Sequence, residues 1–211
     1  RCRVYQFHDT SITSHFRDYA REDATAYLYA DGGNLASLLL FLLQNHTGAY
    51  ADIRRTLNLL LPWFDDFVLE PEGRKGILLR WRSSAKGRQE FGPSQLSDGS
   101  LRIMALVTLL MLPDGMLPSA IILDEPELGL HPAAETVIAG LIKDASQRCQ
   151  ILLSTQSATF LDQFSPTDVL VVENEDGESR FLSQSEESLG PWLERYTLGQ
   201  IWCKNLMGGR P

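Results

Sequence analysis

Two apolar stretches that run straight into polar residues constrain this chain more than any other feature. Ala120-Ile121-Ile122-Leu123 ends in Asp124-Glu125, and Gln150-Ile151-Leu152-Leu153 ends in Ser154-Thr155-Gln156, with helical spacing over residues 133–146 between them. Near-continuous apolar strands alternating with helices imply an α/β fold whose mainly parallel sheet is flanked by helices on both faces. In such a sheet the residues just past the strand ends gather at the carboxyl edge, where α/β proteins bind ligands. Asp124 and Glu125 are successive, so they face opposite sides of the strand and cannot share one task. The first can hold Mg²⁺, and the second can orient and deprotonate a water. Two solvated acids closing a strand are the plainer alternative.

The rest of the chain divides by pattern into three stretches. Residues 1–33 read as irregular. Residues 34–95 read as a small helical and hairpin subdomain: helices from Asn34 and over 50–61, then strands over 67–70, over 77–82 and near Phe91. Residues 96–211 carry the alternating half, with a helix over 101–112, the two apolar strands, a short helix over 158–164, and a hairpin turning through 174–177.

Charge and cysteines exclude several function classes. Residues 1–105 hold 13 basic and 12 acidic side chains, whereas 106–211 hold 6 and 15, so the net charge of −8 sits in the second half. A nucleic-acid coat over the whole surface does not fit that balance. One local strip does run against it: Arg74, Lys75, Arg80, Arg82, Lys86 and Arg88 fall in a stretch without an acid. It reads either as a solvated hairpin or as a contact for a phosphate backbone. No apolar run approaches the roughly 20 residues that span a bilayer. Cys2, Cys149 and Cys203 are odd in number and far apart, which favours a reducing cytoplasm over a disulfide framework. His8, His15, His46 and His131 are too scattered for zinc spacing, and Ser154 and Ser157 lack the G-x-S-x-G setting of an esterase.

A second polar cluster precedes the first helix of the alternating half. Leu96-Ser97-Asp98-Gly99-Ser100-Leu101-Arg102 places hydroxyls, free backbone N–H groups and the positive helix end in one spot. Such a spot binds anions, phosphate above all; it is also an ordinary helix N-cap. Gln156 forms the third cluster, and its amide can accept from a water while donating to a phosphate.

Taken in order and spacing, these pieces resemble the ABC-class ATPase heads of the SMC, RecF and OLD group, and most nearly the stand-alone AAA ATPases of bacterial genome maintenance and phage defence. Leu96 to Arg102 is similar to the ABC signature, residues 121–125 to a Walker B strand, Glu127-Leu128-Gly129-Leu130-His131-Pro132 to the D-loop that follows it, and Ser154 to Ser157 to the switch strand. The resemblance implies a P-loop NTPase fold that hydrolyses ATP with Mg²⁺ as a cytoplasmic dimer closed around the nucleotide. It implies Asp124 as metal ligand and Glu125 as general base with Gln156 beside it. Ser97, Asp98, Gly99, Ser100 and Arg102 then meet the ATP held by a second subunit, and Gly129, Leu130 and His131 form the D-loop, His131 either reaching across the dimer or capping its helix. DNA and an effector protein are further implied partners, in DNA repair or phage defence. A nucleotide-gated scaffold for an effector nuclease, with little turnover, is the alternative.

Three departures qualify the resemblance. Gln156 replaces His, which implies slow or differently tuned hydrolysis. Asp98 replaces a signature Gly, and Leu101 stands where Gln follows the signature Ser. Above all, no G-x-x-x-x-G-K-[ST] phosphate loop occurs in the 211 residues, since none of Lys75, Lys86, Lys143 and Lys204 follows a Gly. The chain is therefore expected to be the C-terminal part of a longer protein, ending in Gly208-Gly209-Arg210-Pro211 and binding ATP weakly by itself.

Overall fold

The computed structural model describes residues 2–85 and 87–209. Lys86 of the basic strip, and Arg210 and Pro211 at the end, lie outside the described residues. The chain divides into two compact units after Ser154.

The first unit runs β1 (Cys2–Tyr5), α1 (Leu35–Asn45), α2 (Thr47–Leu60), β2 (Phe64–Val68), β3 (Arg80–Ser83), β4 (Glu90–Phe91), α3 (Asp98–Leu110), β5 (Ala120–Asp124), α4 (Pro132–Ser146) and β6 (Gln150–Ser154). Its central sheet has the order β1-β5-β6, and both pairings are parallel. The two apolar strands pair as the sequence predicts, with Ile121 opposite Ile151 and Asp124 opposite Ser154. The third strand differs from the expectation. Residues 2–5 read as irregular because Cys-Arg-Val-Tyr offers no apolar run, yet they pair with residues 120–123. Contacts from elsewhere in the unit hold this short strand: Tyr5 is buried, and the Arg3 guanidinium lies 3.3 Å from the Tyr27 ring centre. One side of the sheet, lined by Tyr5, Ile121 and Leu123, is buried. The in-register row Val4, Ile122 and Leu152 lies on the other side, where Val4 and Leu152 are about half exposed.

Helix α3 is apolar around nearly its whole circumference, so it lies in the core, with every residue from Ile103 to Leu110 buried. The one polar side chain among those, Thr108, is satisfied by donating to the Met104 carbonyl at 2.7 Å. Helix α2 is amphipathic, burying Tyr50, Ile53 and Leu57. It is tied to β2 where the Tyr50 hydroxyl donates to Asp66 Oδ1 at 2.7 Å and Arg54 meets Asp66 Oδ2 at 3.0 Å. β2, β3 and β4 form an antiparallel meander in which Trp81 stacks on Phe91 and meets Trp63 edge-on. Strand β3 starts at Arg80 because Ile77 is diverted into lone bridges with Ala20 and Pro71.

The second unit contains α5 (Ala158–Leu161), the hairpin β7 (Leu170–Glu175) and β8 (Glu178–Ser183), α6 (Glu186–Leu193) and α7 (Leu198–Cys203). The hairpin turns at Asp176 and Gly177, both at positive φ, which suits a two-residue loop. Helix α7 crosses α5 closely, since a Cβ on Gly199 would sit 2.1 Å from the Ala158 carbonyl oxygen. Leu161, Val171, Leu189, Leu198, Ile201 and Met207 fill this unit's core.

Ahead of α1, the turn at Asp31 holds the loop that follows β1. The His15 Nδ1 and Asp31 Oδ2 atoms are 2.6 Å apart, and this bond raises the imidazole pKa above its ordinary 6.5. A raised folded pKa means that the pair stabilises the fold fully below about pH 6.5 and ceases to as pH climbs through the raised value. Asp31→Asn is expected to return the His15 titration, followed by ring NMR shifts, to the ordinary range. An unchanged titration would show that the pair does not form in solution.

Candidate functional site

The site grows from the carboxyl ends of β1, β5 and β6, which parallel pairing brings level. Asp124 closes β5, and both of its carboxylate oxygens are engaged. The Ser154 hydroxyl donates to Oδ1 at 2.5 Å, and Gln6 Nε2 donates to Oδ2 at 3.2 Å. His8 Nε2 lies 3.0 Å from the Asp124 carbonyl oxygen. Gln6 and His8 were not among the residues singled out from sequence. The signal that could have found them is weak, two polar residues bracketing Phe7 just past a four-residue strand.

Glu125 leaves the strand in a left-handed conformation at φ 41°. A side chain other than Gly pays on the order of 1 kcal/mol or more for that region, and such residues persist only where neighbours hold them. Here the Glu125 amide donates to the Ser154 carbonyl at 3.1 Å, and the Glu125 carbonyl accepts from Leu128 N at 3.0 Å. Ser154 thus holds both acids, one through its hydroxyl and one through its backbone. A narrow recess beneath them is lined by Tyr5, Phe7, His8, Arg102, Asp124 and Glu125. Burial pushes the Tyr5 phenol there up to about 12.

The second cluster caps α3. The Ser97 side chain accepts from Ser100 N at 3.2 Å, and the two hydroxyls lie 2.7 Å apart. Gly99 in the first turn of this helix faces Gly129, and a Cβ on Gly99 would stand 2.8 Å from the Gly129 carbonyl oxygen. Gly129 itself sits at φ 75°, and a Cβ there would meet Arg102 Nη1 at 2.8 Å. The two sequence motifs are therefore in backbone contact. Arg102 donates to three carbonyls, from Nε to Phe7 at 2.9 Å, from Nη1 to Leu128 at 2.8 Å and from Nη2 to His8 at 3.0 Å. Asp98 accepts from Arg17 at 3.1 Å. Leu130 leads into His131, whose Nδ1 accepts from Ala133 N at 3.2 Å and so caps α4, with Pro132 at the first helical position. Gln156 lies in the second unit, exposed, two residues past the end of β6.

Three arginines of the basic strip are matched by carboxylates that flank it in sequence. Arg80 lies 3.5 Å from Glu70 and 3.9 Å from both Glu72 and Glu90, Arg82 lies 3.1 Å from Glu90, and Arg88 lies 3.7 Å from Asp65. These arginines form an ion-paired meander, the arrangement of the solvated-hairpin reading.

Among the described residues no group of three or more His, Cys, Asp and Glu side chains could cage a metal, and no helix is long and apolar enough to cross a membrane. A single carboxylate at a strand end suits Mg²⁺, which keeps several waters and takes its remaining ligands from phosphate oxygens rather than from an all-protein cage.

A family model described as "AAA domain, putative AbiEii toxin, Type IV TA system" matches residues 12–162. The chain belongs to this AAA family. Its fold is also that of SMC ATPase heads. It superposes with a TM-score of 0.62 on an Smc head bound to the C-winged helix domain of ScpA, at 16% identity, covering 89% of this chain and 57% of that one. The Pyrococcus furiosus Smc head with an extended coiled coil, bound to the C-terminal domain of ScpA, gives 0.55 at 18% identity, covering 78% of this chain and 41% of that one. A head from work on ATP-driven dimerization and DNA stimulated activation of SMC ATPases gives 0.54 at 18% identity, covering 74% of this chain and 95% of that one. The AAA chain thus spans about half the length of the first two. No curated protein matches its sequence.

The Gly99–Gly129 approach generates a prediction. Gly99→Ala gains about 1 kcal/mol of helix propensity but forces the two motifs apart. A net loss of about 1–3 kcal/mol is expected, read as a lower urea midpoint. A rise in stability would show that the contact yields freely.

Proposed function

We propose that this chain supplies the Walker B, signature and switch elements of an ATP-hydrolysing head. Two copies close around ATP and Mg²⁺, with the phosphate loop contributed by polypeptide outside these 211 residues. The observation that carries the reading is the pair of acids at the end of β5. Asp124 is held at both carboxylate oxygens by Ser154 and Gln6, and Glu125 leaves the strand through a left-handed backbone fixed through Ser154. That division of labour suits one acid as metal ligand and the other as base.

In the proposed cycle Asp124 holds the cation, which when bound neutralises developing charge on the phosphates. Glu125 orients a water and takes its proton as the water oxygen attacks the γ-phosphorus, the bond to the ADP oxygen breaking in line. Gln156 has no titratable nitrogen, so its part is limited to holding the water or a phosphate oxygen by hydrogen bonds. In trans, Ser97, Asp98, Gly99 and Ser100 present hydroxyls, backbone N–H groups and the helix end to the nucleotide of the other copy. The Arg102 guanidinium, which holds Leu128 in the segment leading to Gly129, Leu130 and His131, keeps the D-loop beside them. The ATP-bound dimer is the closed state, and hydrolysis reopens it. DNA or an effector protein is the element reset, in DNA repair or phage defence.

Glu125→Gln in the complete protein tests this reading. Removing a general base typically costs 10²–10⁴ in rate, so turnover is expected to fall by about 100-fold or more. ATP-locked dimers should accumulate at the same time, seen by size exclusion with light scattering. Unchanged turnover would sink the hydrolytic role and leave a nucleotide-gated scaffold.

A further inference from the structure

The residue with the most hydrogen bonds around the candidate site belongs to none of its motifs. Arg17 follows β1 in a short 3-10 turn, and its side chain is only 11% exposed. Its guanidinium reaches two segments at once. Nε donates to the Thr10 carbonyl at 3.0 Å and the Ser11 carbonyl at 3.2 Å. Nη1 donates to the carbonyls of Pro93 and Leu96, and Nη2 donates to Leu96 at 3.2 Å and to Asp98 Oδ1 at 3.1 Å. The loop of residues 6–11 is thereby fixed to the segment that enters α3. The same loop carries Gln6 and His8, which contact Asp124, and its Phe7 and His8 carbonyls accept from Arg102. Aromatic contacts stiffen the path, since the Phe7 ring lies 5.9 Å from Tyr5 and 5.8 Å from Phe16. Phe16 in turn fits under Gly32, where a Cβ would lie 2.0 Å from its ring.

We infer that Arg17 is a positioning residue that locks the turn at residues 97–100 to the loop at 6–11, so that the geometry of the turn follows what is bound at Asp124. Two features of the side chain make this assignment. A guanidinium is a planar fork with five donors, able to hold carbonyls on two segments in fixed relation, whereas an ammonium is a single point with three rotatable donors. Burial of the fork also means that its partners cannot exchange it for water without exposing Thr10, Leu96 and Pro93 carbonyls together. The turn at 97–100 therefore does not move independently of the loop. A cation and nucleotide arriving at Asp124 must compete with Gln6 for the carboxylate, and displacement of Gln6 pulls on the segment that Arg17 holds. The functional consequence rests on the reading above, in which the turn meets a nucleotide in trans; the mechanical link does not.

The test uses Arg17→Lys and Arg17→Ala in the complete protein, read first by amide hydrogen exchange without nucleotide. Exchange at the Ser100 and Leu101 amides, both bonded back to Ser97, is expected to quicken at least tenfold in both variants. Amides of β5 and β6 serve as an internal control of the fold and should stay within twofold. The second reading is nucleotide-dependent. ATP affinity should hold within twofold while the protein concentration needed for ATP-driven dimers rises at least tenfold, a split that loss of general stability would not produce. Unchanged exchange at Ser100 and Leu101 overturns the inference, and so does exchange that quickens equally in β5 in the Lys variant. A wild-type protein that forms no ATP-driven dimers would overturn the proposed function while leaving the exchange experiment to decide the role of Arg17.

Discussion

The hydrogen bond from the Ser154 hydroxyl to Asp124 is the interaction on which the site depends. It forms only because β5 and β6 pair in parallel with these two residues opposite each other. A slip of one residue would reverse the facing of every side chain in the strand and remove the hydroxyl from the carboxylate. The apolar face of β5 opposes that slip, since Ile121 and Leu123 are buried on one side of the sheet. Hydrophobic burial thus sets the register, the register places the hydroxyl, and the hydroxyl orients the acid. The same residue's carbonyl holds the Glu125 amide, so the strained backbone at Glu125 is maintained by the pairing that orients its neighbour.

Around this pair the chain uses guanidinium groups to join segments that secondary structure leaves apart. Arg102 reaches from α3 to the loop after β1 and to Leu128, and Arg17 reaches from that loop to the start of α3. Most of their acceptors are backbone carbonyls outside the α-helices and strands, among them those of Phe7, His8, Thr10, Leu96 and Leu128. A buried carbonyl left without a donor costs about 1–3 kcal/mol, so each guanidinium offsets several such penalties while fixing loop positions. Nonpolar packing could hold these loops together, but it is non-directional and would not fix which carbonyl faces which.

Much of this architecture was legible in the sequence, and the reasons for the exceptions are specific. β6 was read to the residue, and β5 and α4 to within one, because apolar runs and helical periodicity are local properties. β1 was not, because a four-residue strand containing Arg3 declares itself only through its partner more than a hundred residues away. Gln6 and Arg17 carry no sequence signal for the same reason, and His8 is weighed only as a zinc ligand, since their importance lies in where the third strand delivers them. The basic strip shows the converse. Its cations form a run in sequence, while Glu70, Glu72, Asp65 and the nearer Glu90 reach it across the meander. A charge run describes a surface only after its cross-strand neighbours are known.

The contact between Gly99 and Gly129 shows why the turn at 97–100 and the segment at 127–131 form one structural unit. A Cβ is blocked at Gly99, where the Gly129 carbonyl stands, and disfavoured at Gly129 by its φ of 75° and by the Arg102 guanidinium beside it. The segment at 127–131 follows Glu125 closely, with Leu128 N donating back to the Glu125 carbonyl. The left-handed turn at Glu125 is thus tied through Leu128 to Gly129, and through Gly129 to the first turn of the helix capped by Ser97. The acids and the turn at 97–100 are joined on one side by this backbone contact and on the other by Arg17 through the loop at 6–11. Arg102 joins the two routes, since its guanidinium donates to Phe7 and His8 in that loop and to Leu128 beside Gly129, so the acids, the turn at 97–100 and the segment at 127–131 are held by one closed set of contacts rather than by separate attachments.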